Sequence, residues 1–397
     1  MGKWRHSTWG QEIALEYGKA IRGYSHTIGK YRVFGSNGPI GWTTEPLTSG
    51  PGVILGRKGA YRGVCFCREP FFVIDTAYYV VPKSGFDVRW LYYAIVYHKL
   101  GEIDDGSPIP STTRAAVYVR ELEVPPLQEQ RAISSILGAL DDKIDLNRRM
   151  NETLEATARA IFKDWFVDFG PTRAKTEGWT PYLSPDIWAL FPSKLDDEGK
   201  PEGWEKHSIY EIADVIYGAP FASVQFNTEK QGDPLIRIRD LRNEQPGVWT
   251  PEVHPRGYKV KAGDIVVGMD GEFRAYLWGG EEAWLNQRVC VFAPKVGFSA
   301  AFVRNCIEGP LGEVESTEIA TTVIHLGKND IDRFSALLPA QSIVARFNEL
   351  AQPLFDRIVA NKQHARTLAS TRDLLLSKLM SGEIRMREAE KIAEMAA

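Results

Sequence analysis

A long internal repeat constrains the fold of this chain more than any other feature of its 397 residues. Residues 53–62 recur as residues 265–274 with glycines at matching places, and residues 81–83 recur as residues 293–295. The offset is about 212 to 214 residues, whereas solenoid repeats run about 20 to 50 residues. The sequence therefore predicts a duplicated unit, a globule followed by a helix, and a ligand with two similar halves.

Composition places the chain among ordinary globular proteins. Hydrophobic residues make up 44% and charged residues 25%, and no run approaches the roughly 18 apolar residues of a membrane span. The first residues lead into no apolar segment of a signal peptide, and the four cysteines suggest a reducing compartment without disulfides. Cys65 and Cys67 have no second pair at zinc spacing, so we expect a cytoplasmic protein without a metal site.

Charge is distributed unevenly along the chain although the net charge is only −3. Residues 1–121 carry a net positive charge, whereas residues 122–205 and 206–335 are both acidic overall. The first globule could therefore face phosphate directly, while any DNA-facing surface of the second must be a local cluster.

The pattern of apolar segments and breakers predicts an α+β protein of two mixed α/β globules separated by two long coiled-coil helices, with pseudo-twofold symmetry. The predicted segments are a first globule at 1–121, a first helix at 122–165, a connector at 166–206, a second globule at 207–336, a second helix at 337–385 and a tail at 386–397. We expect the charged tail to be frayed.

Both predicted helices carry an apolar seam whose steps alternate between four and three residues, as in a heptad repeat. An asparagine occupies the same seam position in each, and a buried polar seam residue selects register at a cost in stability. These helices could instead be surface helices on their own globules, but heptad spacing in both copies favours pairing. The predicted pairing residues are Leu137, Leu140, Ile144, Asn147, Leu154, Leu354, Ile358, Asn361 and Leu368.

Motifs of catalysis and of nucleotide binding are missing from the sequence. It has no aromatic-flanked Asn/Asp-Pro-Pro-Tyr/Phe segment of an amino-methyltransferase, no dinucleotide or phosphate-binding glycine loop and no nucleophile elbow. Asp264 and Glu272 lack the Glu-x-Lys that a nuclease would add. We expect no catalytic residue in this chain.

Glycine-bounded basic and polar turns are the candidates for contact with DNA. Glycine lets a backbone approach a ligand closely, arginine can fork onto guanine or phosphate, and Ser, Thr and Asn can serve either. Taken singly, each turn could be an ordinary polar hairpin. The candidates in the first globule are Lys30, Arg32, Asn37, Arg57, Lys58, Arg62, Ser111, Thr112, Thr113 and Arg114. Those in the second globule are Arg237, Arg239, Arg242, Asp270, Arg274, Thr321 and Thr322.

The repeat offset makes Asp270 and Arg274 the counterparts of Lys58 and Arg62, and the Thr321-Thr322 pair the counterpart of Thr112-Thr113. Equivalent scaffold positions with different side chains are expected of two modules that read different sequences.

Several stretches resemble the specificity subunits of type I restriction–modification enzymes. Residues 127–147, 154–156 and 162–169 resemble the central conserved helix of that family, and residues 35–41, 56–59 and 75–77 resemble one common type of target recognition domain. The second globule departs from this type, because Met269-Asp270 replaces Arg57-Lys58. Its base preference therefore cannot be carried over from the first.

The resemblance implies that each globule reads one half of a split, asymmetric sequence in double-stranded DNA, while the two helices pair antiparallel and hold the globules apart. It also implies two methyltransferase subunits, which carry S-adenosylmethionine, and two motor-nuclease subunits in a restriction complex that uses ATP and Mg²⁺. This chain itself would bind no cofactor and catalyse no reaction. The alternative is an adaptor whose coiled pair joins other proteins without reading DNA, and it should lack salt-dependent DNA binding.

Overall fold

A computed structural model describes residues 4–24, 28–104, 110–317 and 324–396, and its internal contacts divide the chain into two units. Unit 1 comprises residues 1–144 and 367–397, and unit 2 comprises residues 145–366. Each unit contains one predicted globule with part of each predicted helix, while the predicted domain boundaries stay a prediction.

Within the described residues, the first globule has nine strands and three short helices. They are β1 (Arg5–Thr8), α1 (Trp9–Glu12), β2 (Ile13–Tyr17), β3 (Tyr31–Gly35), β4 (Gly38–Thr43), β5 (Gly52–Gly56), β6 (Val64–Cys67), β7 (Phe71–Val73), β8 (Ala77–Pro82), α2 (Val88–Tyr97), α3 (Arg114–Tyr118) and β9 (Glu121–Val124). The long helix α4 (Leu127–Phe162) follows, and a π-helical stretch (Lys163–Val167) then leads to α5 (Gly170–Thr176) and α6 (Pro185–Leu190) in the connector.

The part of the second globule that the structure describes has ten strands and two helices. They are β10 (Glu205–Ser208), β11 (Ala213–Tyr217), β12 (Asp233–Ile236), β13 (Val248–Thr250), β14 (Lys259–Val260), β15 (Ile265–Gly268), β16 (Ala275–Leu277), β17 (Ala283–Leu285), β18 (Val289–Pro294), α7 (Ala300–Thr317), α8 (Lys328–Ile331) and β19 (Ser335–Leu338). The chain ends in the long helix α9 (Gln341–Met380) and the helix α10 (Met386–Ala396). Turns of 3₁₀-helix occur at Leu100–Glu102, Ile209–Glu211, Ser223–Gln225 and Ile238–Asp240.

The two globules share one strand topology, which confirms that the sequence repeat is a structural repeat. The sheet order β2-β8-β5-β6 in the first corresponds to β11-β18-β15-β16 in the second, and the β1-β9 pair corresponds to β10-β19. A second sheet joins β3 to β4 antiparallel and to β7 parallel, just as β12 joins β13 antiparallel and β17 parallel.

The central strands β5 and β15 are apolar throughout because both of their faces are buried. Side chains alternate between the two faces of a strand, so Val53 and Leu55 enter one core cluster and Ile54 enters another. Ile265 and Val267 likewise enter one cluster of the second globule, while Val266 enters a different one. The repeated apolar stretch is therefore the middle of each globule.

In unit 1 the long helices contact each other through an apolar seam with a polar edge. Leu137, Leu140, Leu368 and Leu375 are each at most 1% exposed and belong to one cluster, against which the half-buried Ile144 packs. At the edge, Arg372 Nη1 donates to Asp141 Oδ1 over 2.8 Å. Burial alone would lower the pKa of Arg372, but its hydrogen bonds to Asp141 and Asp373 raise it, so the pair stays charged.

In unit 2 the seam of the same two helices contains the predicted asparagines. Asn361 is 2% exposed and donates to Asn151 Oδ1 over 2.8 Å, and Asn147 lies 3.3 Å from His364 Nδ1. Ile358 is fully buried, and the half-buried Leu154 and Leu354 pack against the same cluster. In unit 2 the helices pair antiparallel, because Asn147 of α4 faces His364 of α9 whereas the later Asn151 faces the earlier Asn361.

The C-terminal residues differ from the sequence expectation. Residues 386–397 were expected to fray, but residues 386–396 form α10, with Ala389 buried and Met386 and Ile392 packed against the core of unit 1. The expectation was wrong because the high charge of this segment conceals an apolar face at helical spacing. Among the residues that the structure describes, no helix combines the length and hydropathy that membrane spanning requires.

Candidate nucleic-acid interface

Two loops of the first globule pair to form a small platform at the end of β5. Gly59 N donates to Pro110 O over 3.0 Å, Thr112 N donates to Arg57 O over 2.9 Å, and Lys58 and Ser111 form a β-bridge between them. Arg57 N donates to Thr76 O over 3.0 Å, which attaches the platform to the residue before β8. Residues 57–59, 76 and 110–112 are called the first platform below.

The second globule builds the same platform from residues 269–271, 288 and 324–326. Gly271 N donates to Ile324 O over 3.1 Å, and Asp270 and His325 form the β-bridge. Leu326 N donates to Met269 O and Met269 N donates to Arg288 O, both over 2.8 Å. These residues are called the second platform, and each backbone contact named above for the first platform has a counterpart in it.

Each platform depends on a glycine at the same place. Gly59 has a φ of +104° and Gly271 a φ of +82°, in the left-handed region that glycine adopts without a steric penalty. The turn after β5 and the turn after β15 are therefore fixed by backbone rather than by side chains. Side chains at the other positions are free to differ, and they do: Lys58, Thr76 and Ser111 occupy the places of Asp270, Arg288 and His325.

Arginine and tyrosine side chains form a cluster beside the first platform. The Arg57 guanidinium lies 4.8 Å from the ring centre of Tyr17, and that of Arg114 lies 4.3 Å from the same ring. Arg57 Nη1 also donates to Asp75 O over 2.9 Å. Burial, together with a hydrogen bond shared with Tyr17, raises the pKa of Tyr78 to about 12, so this phenol keeps its proton and donates to Thr112 O over 3.2 Å.

Arg62 and Thr112 support the first platform from below. Arg62 donates to Gly59 O over 2.6 Å, to Gly101 O and Ile103 O over 3.0 Å each, and to Thr112 Oγ1 over 3.2 Å. Thr112 is fully buried. The structure thus uses these two predicted DNA contacts to fasten loops. Thr113, also predicted, caps α3 by accepting from Ala116 N over 3.2 Å.

The strand register corrects the sequence alignment of the two copies. Val64 lies opposite Leu55 and Ala275 lies opposite Val267, which places Phe273 rather than Arg274 at the position of Arg62. Leu326 likewise takes the place of Thr112 through the same backbone bond. The predicted equivalents Arg274, Thr321 and Thr322 are therefore wrong as counterparts, and the two threonines lie outside the described residues.

The half-buried Arg62 and the buried Thr112 of one copy accordingly correspond to an apolar pair in the other. Phe273 is 4% exposed and Leu326 is fully buried, and both belong to the same core cluster. Arg274 instead lies on the surface in an ion pair with Glu272 at 3.0 Å. The first platform is therefore supported by hydrogen bonds, and the second platform is supported by hydrophobic packing.

A hairpin turn brings further predicted residues next to the first platform. Ser36 Oγ donates to Thr76 O over 2.7 Å, and Gly63 N donates to Ser36 O over 2.8 Å. The neighbouring Asn37 is exposed at this turn. On the flanking strands, the exposed Arg32 stacks 4.0 Å from the ring centre of Trp42, and Lys30 lies 5.7 Å from that of Tyr31.

The predicted arginines of the second globule divide into one that is bound and two that are exposed. Arg237 Nε donates to Asp240 Oδ2 over 3.0 Å and Nη2 to Oδ1 over 3.3 Å, and Asp240 also accepts from Arg237 N. This pair closes a 3₁₀ turn. Arg239 and Arg242 are exposed on and after that turn and keep their predicted role as candidates.

The second platform carries a charged cluster that sequence reasoning found only in part. Asp270 Oδ1 lies 2.8 Å from His325 Nδ1 and 3.3 Å from Arg288 Nη1. Arg288 and His325 were missed because they come from segments far apart in sequence and belong to no motif. Alignment by backbone partners rather than by residue similarity is the signal that finds them.

Both globules are bound tightly to the long helices. In unit 1, Arg89 donates to Asp142 Oδ1 over 2.7 Å, and its guanidinium lowers the pKa of Asp142 against the opposing effect of burial. In unit 2, Lys362 Nζ lies 2.5 Å from Glu244 Oε1 and donates to Leu277 O over 2.7 Å. Each platform is therefore presented by a globule that is fixed to the helix beneath it.

Comparison with known proteins agrees with this architecture. A family model for the type I restriction modification DNA specificity domain matches residues 12–156. The specificity subunit of the type I restriction enzyme MjaIX from Methanocaldococcus jannaschii is 26% identical over 352 residues, which cover 85% of this chain and 78% of the relative. That of HindI from Haemophilus influenzae is 26% identical over 376 residues, which cover 79% and 81%.

A solved structure shares the fold. It is the S subunit of a type I restriction–modification system from M. genitalium, with a TM-score of 0.54 and 16% identity over 95% of this chain and 96% of that one.

Residues 12–156 thus match the DNA specificity domain of type I restriction–modification systems. Over most of its length the chain is similar to specificity subunits of such systems, and it shares its α+β fold with the solved S subunit.

Proposed function

We propose that this chain selects a bipartite, asymmetric DNA sequence, with each globule reading one half. The observation that carries the proposal is the duplicated platform. Two loops are held in one backbone geometry in both copies, while the outward side chains differ in charge and size. A conserved frame with variable side chains is expected where the frame positions a reader and the side chains set the sequence that is read.

The chemistry of the first platform supports contact with DNA. Lys58 is exposed, and Arg57 and Arg114 are arranged around the half-exposed ring of Tyr17. Guanidinium groups held by aromatic rings and backbone carbonyls lose little side-chain entropy on binding, and they present donors for guanine edges or for phosphates. The net positive charge of residues 1–121 adds a longer-range attraction.

Catalysis belongs, in this proposal, to partner subunits. Two methyltransferase subunits would dock around the paired helices and supply S-adenosylmethionine, and two motor-nuclease subunits that use ATP and Mg²⁺ would join for restriction. This chain would contribute selection of the site and scaffolding of the partners. We place the complex in the cytoplasm, where its DNA substrate lies.

Binding of the full chain to duplex DNA at several salt concentrations tests the proposal. The logarithm of the association constant should fall linearly with the logarithm of salt concentration, with a slope of about −0.9 per phosphate neutralised. Arg57→Ala should cost about 1–3 kcal/mol if this residue forks onto a guanine. The loss should affect one half of the selected sequence and leave the other half unchanged.

An equal loss for every DNA sequence would make Arg57 a phosphate contact instead. A chain that shows no salt-dependent binding to DNA would contradict the proposal and favour the adaptor function.

A further inference from the structure

The second platform places one carboxylate between two side chains that can donate to a ligand. Asp270 is the least exposed of the three, with 28% of its side chain accessible against 45% for His325 and 56% for Arg288. The carboxylate therefore lies behind, and the imidazole and the guanidinium lie in front. The three residues come from three separate segments that the pairing of β15 with β18 and the platform's backbone bonds bring together.

His325 faces the same carboxylate as Arg288. Its Nδ1 lies 2.8 Å from Asp270 Oδ1 and 3.0 Å from the carbonyl oxygen of Met269. Arg288 Nη1 lies 3.0 Å from the same Nδ1. These contacts hold the imidazole ring beside the guanidinium, and Nε2 is the ring's other polar atom.

We infer that Arg288, positioned by Asp270 and flanked by His325, is the residue through which the second globule reads a guanine in its half-site. This inference rests on the proposed function. Arg288 is the counterpart of Thr76, and Asp270 is the counterpart of Lys58. In the first platform the positive charge of Lys58 lies in the turn after the central strand, whereas in the second platform the positive charge of Arg288 lies at the residue before β18. A platform with the same backbone consequently reads a different base pattern.

Support by a carboxylate favours a base contact over a phosphate contact. A phosphate accepts donors from many directions, whereas a bidentate bond to guanine O6 and N7 needs a guanidinium that is oriented toward the base edge. Asp270 engages Nη1 over 3.3 Å and so restricts the orientation of the group, with Nε and Nη2 as the donors toward a ligand. Selective sites depend on this kind of support for the side chains that make contact.

Selection from a pool of randomised duplexes tests the inference, using the full chain with the subunits that copurify with it. Arg288→Gln should reduce the preference at one guanine about 5- to 150-fold, the range that corresponds to one bidentate contact. Asp270→Asn should broaden the preference at that same base pair, and Asp270→Glu should restore part of it. Arg173→Gln, at an exposed arginine of α5, removes the same charge from the connector and should change no preference.

The outcomes separate this inference from the proposed function. Loss confined to one base pair supports the role of Arg288, provided that the melting temperature of the variant is unchanged. An equal loss for all sequences, with a shallower salt dependence, overturns it in favour of a phosphate contact. An unchanged profile for Arg288→Gln also overturns it. If the unaltered chain selects no sequence, the proposed function fails first and the inference fails with it.

Discussion

At the scale of single residues, the duplication shows which polar groups hold the fold and which are free to contact a ligand. Arg62 binds three backbone carbonyls and Thr112, and its structural counterpart is the buried Phe273. A position that can be filled by an arginine or by a phenylalanine serves packing. The exposed Lys58 has no such role, because the platform uses only its backbone, whereas its counterpart Asp270 also pairs through its side chain with His325 and Arg288.

Arg62→Ala should therefore reduce stability rather than sequence preference. Removing a charged donor from several buried carbonyls should lower the free energy of unfolding by about 2–4 kcal/mol, measured by urea denaturation. Arg274→Ala is the matched control, since its exposed ion pair should contribute less than about 1 kcal/mol. If the Arg62→Ala chain kept its stability but selected DNA sequences less strictly, Arg62 would be a DNA contact rather than a structural residue.

Glu12 gives a prediction for acid stability. Arg5 and Ser7 donate to Glu12 Oε1 over 2.6 Å and 2.5 Å, and these bonds, that of Arg5 foremost, lower its pKa despite burial. The pKa of Glu12 in the folded state lies below its unfolded value, near 4.3. Ionised Glu12 therefore stabilises the folded state above the unfolded pKa, and this stabilisation is lost as the pH falls through the folded pKa. Glu12→Gln should show a smaller loss of stability between neutral pH and about pH 3. An identical acid dependence would contradict the assignment.

The residue scale also shows where sequence reasoning stops. Arg57, Lys58 and Asp270 were predicted because each follows an apolar strand in a glycine-bounded turn. Arg274 was aligned with Arg62, although Phe273 is the structural counterpart. The turn after β15 is one residue shorter than the turn after β5, and residue similarity does not reveal this difference. Arg288 could not be found at all, since its neighbours are set by loop pairing.

At the scale of elements, the long helices were predictable because heptad spacing and flanking prolines are local signals. The predicted seam agrees with the buried residues of α4 and α9, including the asparagines Asn147 and Asn361. The helix α10 was missed because its apolar face is short and its composition is highly charged. Residues that bind the helices to the globules, such as Lys362, follow from tertiary contacts and had no sequence signal.

The seam itself can be tested by placing charge within it. Leu140→Asp with Leu354→Asp should lower the free energy of unfolding by about 4 kcal/mol or more, because each introduces an unpaired charge among apolar side chains. Leu146→Asp is the control on the same helix, since Leu146 is 51% exposed. The measurement is thermal unfolding followed by circular dichroism. A double variant that keeps its melting temperature and its assembly with partners would show that the helices do not depend on this seam.

At the scale of the whole molecule, the length of the helices should set the gap between half-sites. A helix of 36 residues is roughly 54 Å long at 1.5 Å per residue, which corresponds to about 16 base pairs. Seven residues inserted after Asn147, with seven more before His364, would lengthen the pair by roughly 10 Å and keep the seam in phase.

The recognised gap should then grow by about three base pairs while both half-sites keep their sequence. Selection from duplexes with variable spacers measures this change. An unchanged gap with full binding would mean that partner subunits set the distance.

The duplication made the molecular architecture readable from sequence, because a repeat of this length leaves few alternatives to two equal units. The duplication does not predict which bases each unit reads, because base preference depends on side chains at positions where the two copies differ. Thr76 and Arg288 are structural counterparts, and the sequence of the neighbouring strands does not predict which residue stands at that position.

Genome-wide mapping of methylated bases, in a host with and without this chain, tests the central claim most directly. The account predicts marks that depend on the chain and lie in one split, asymmetric sequence, with Arg57→Ala altering one half and Arg288→Gln the other. Marks that persist without the chain, or that fall in a single continuous sequence, would contradict the account of two duplicated readers.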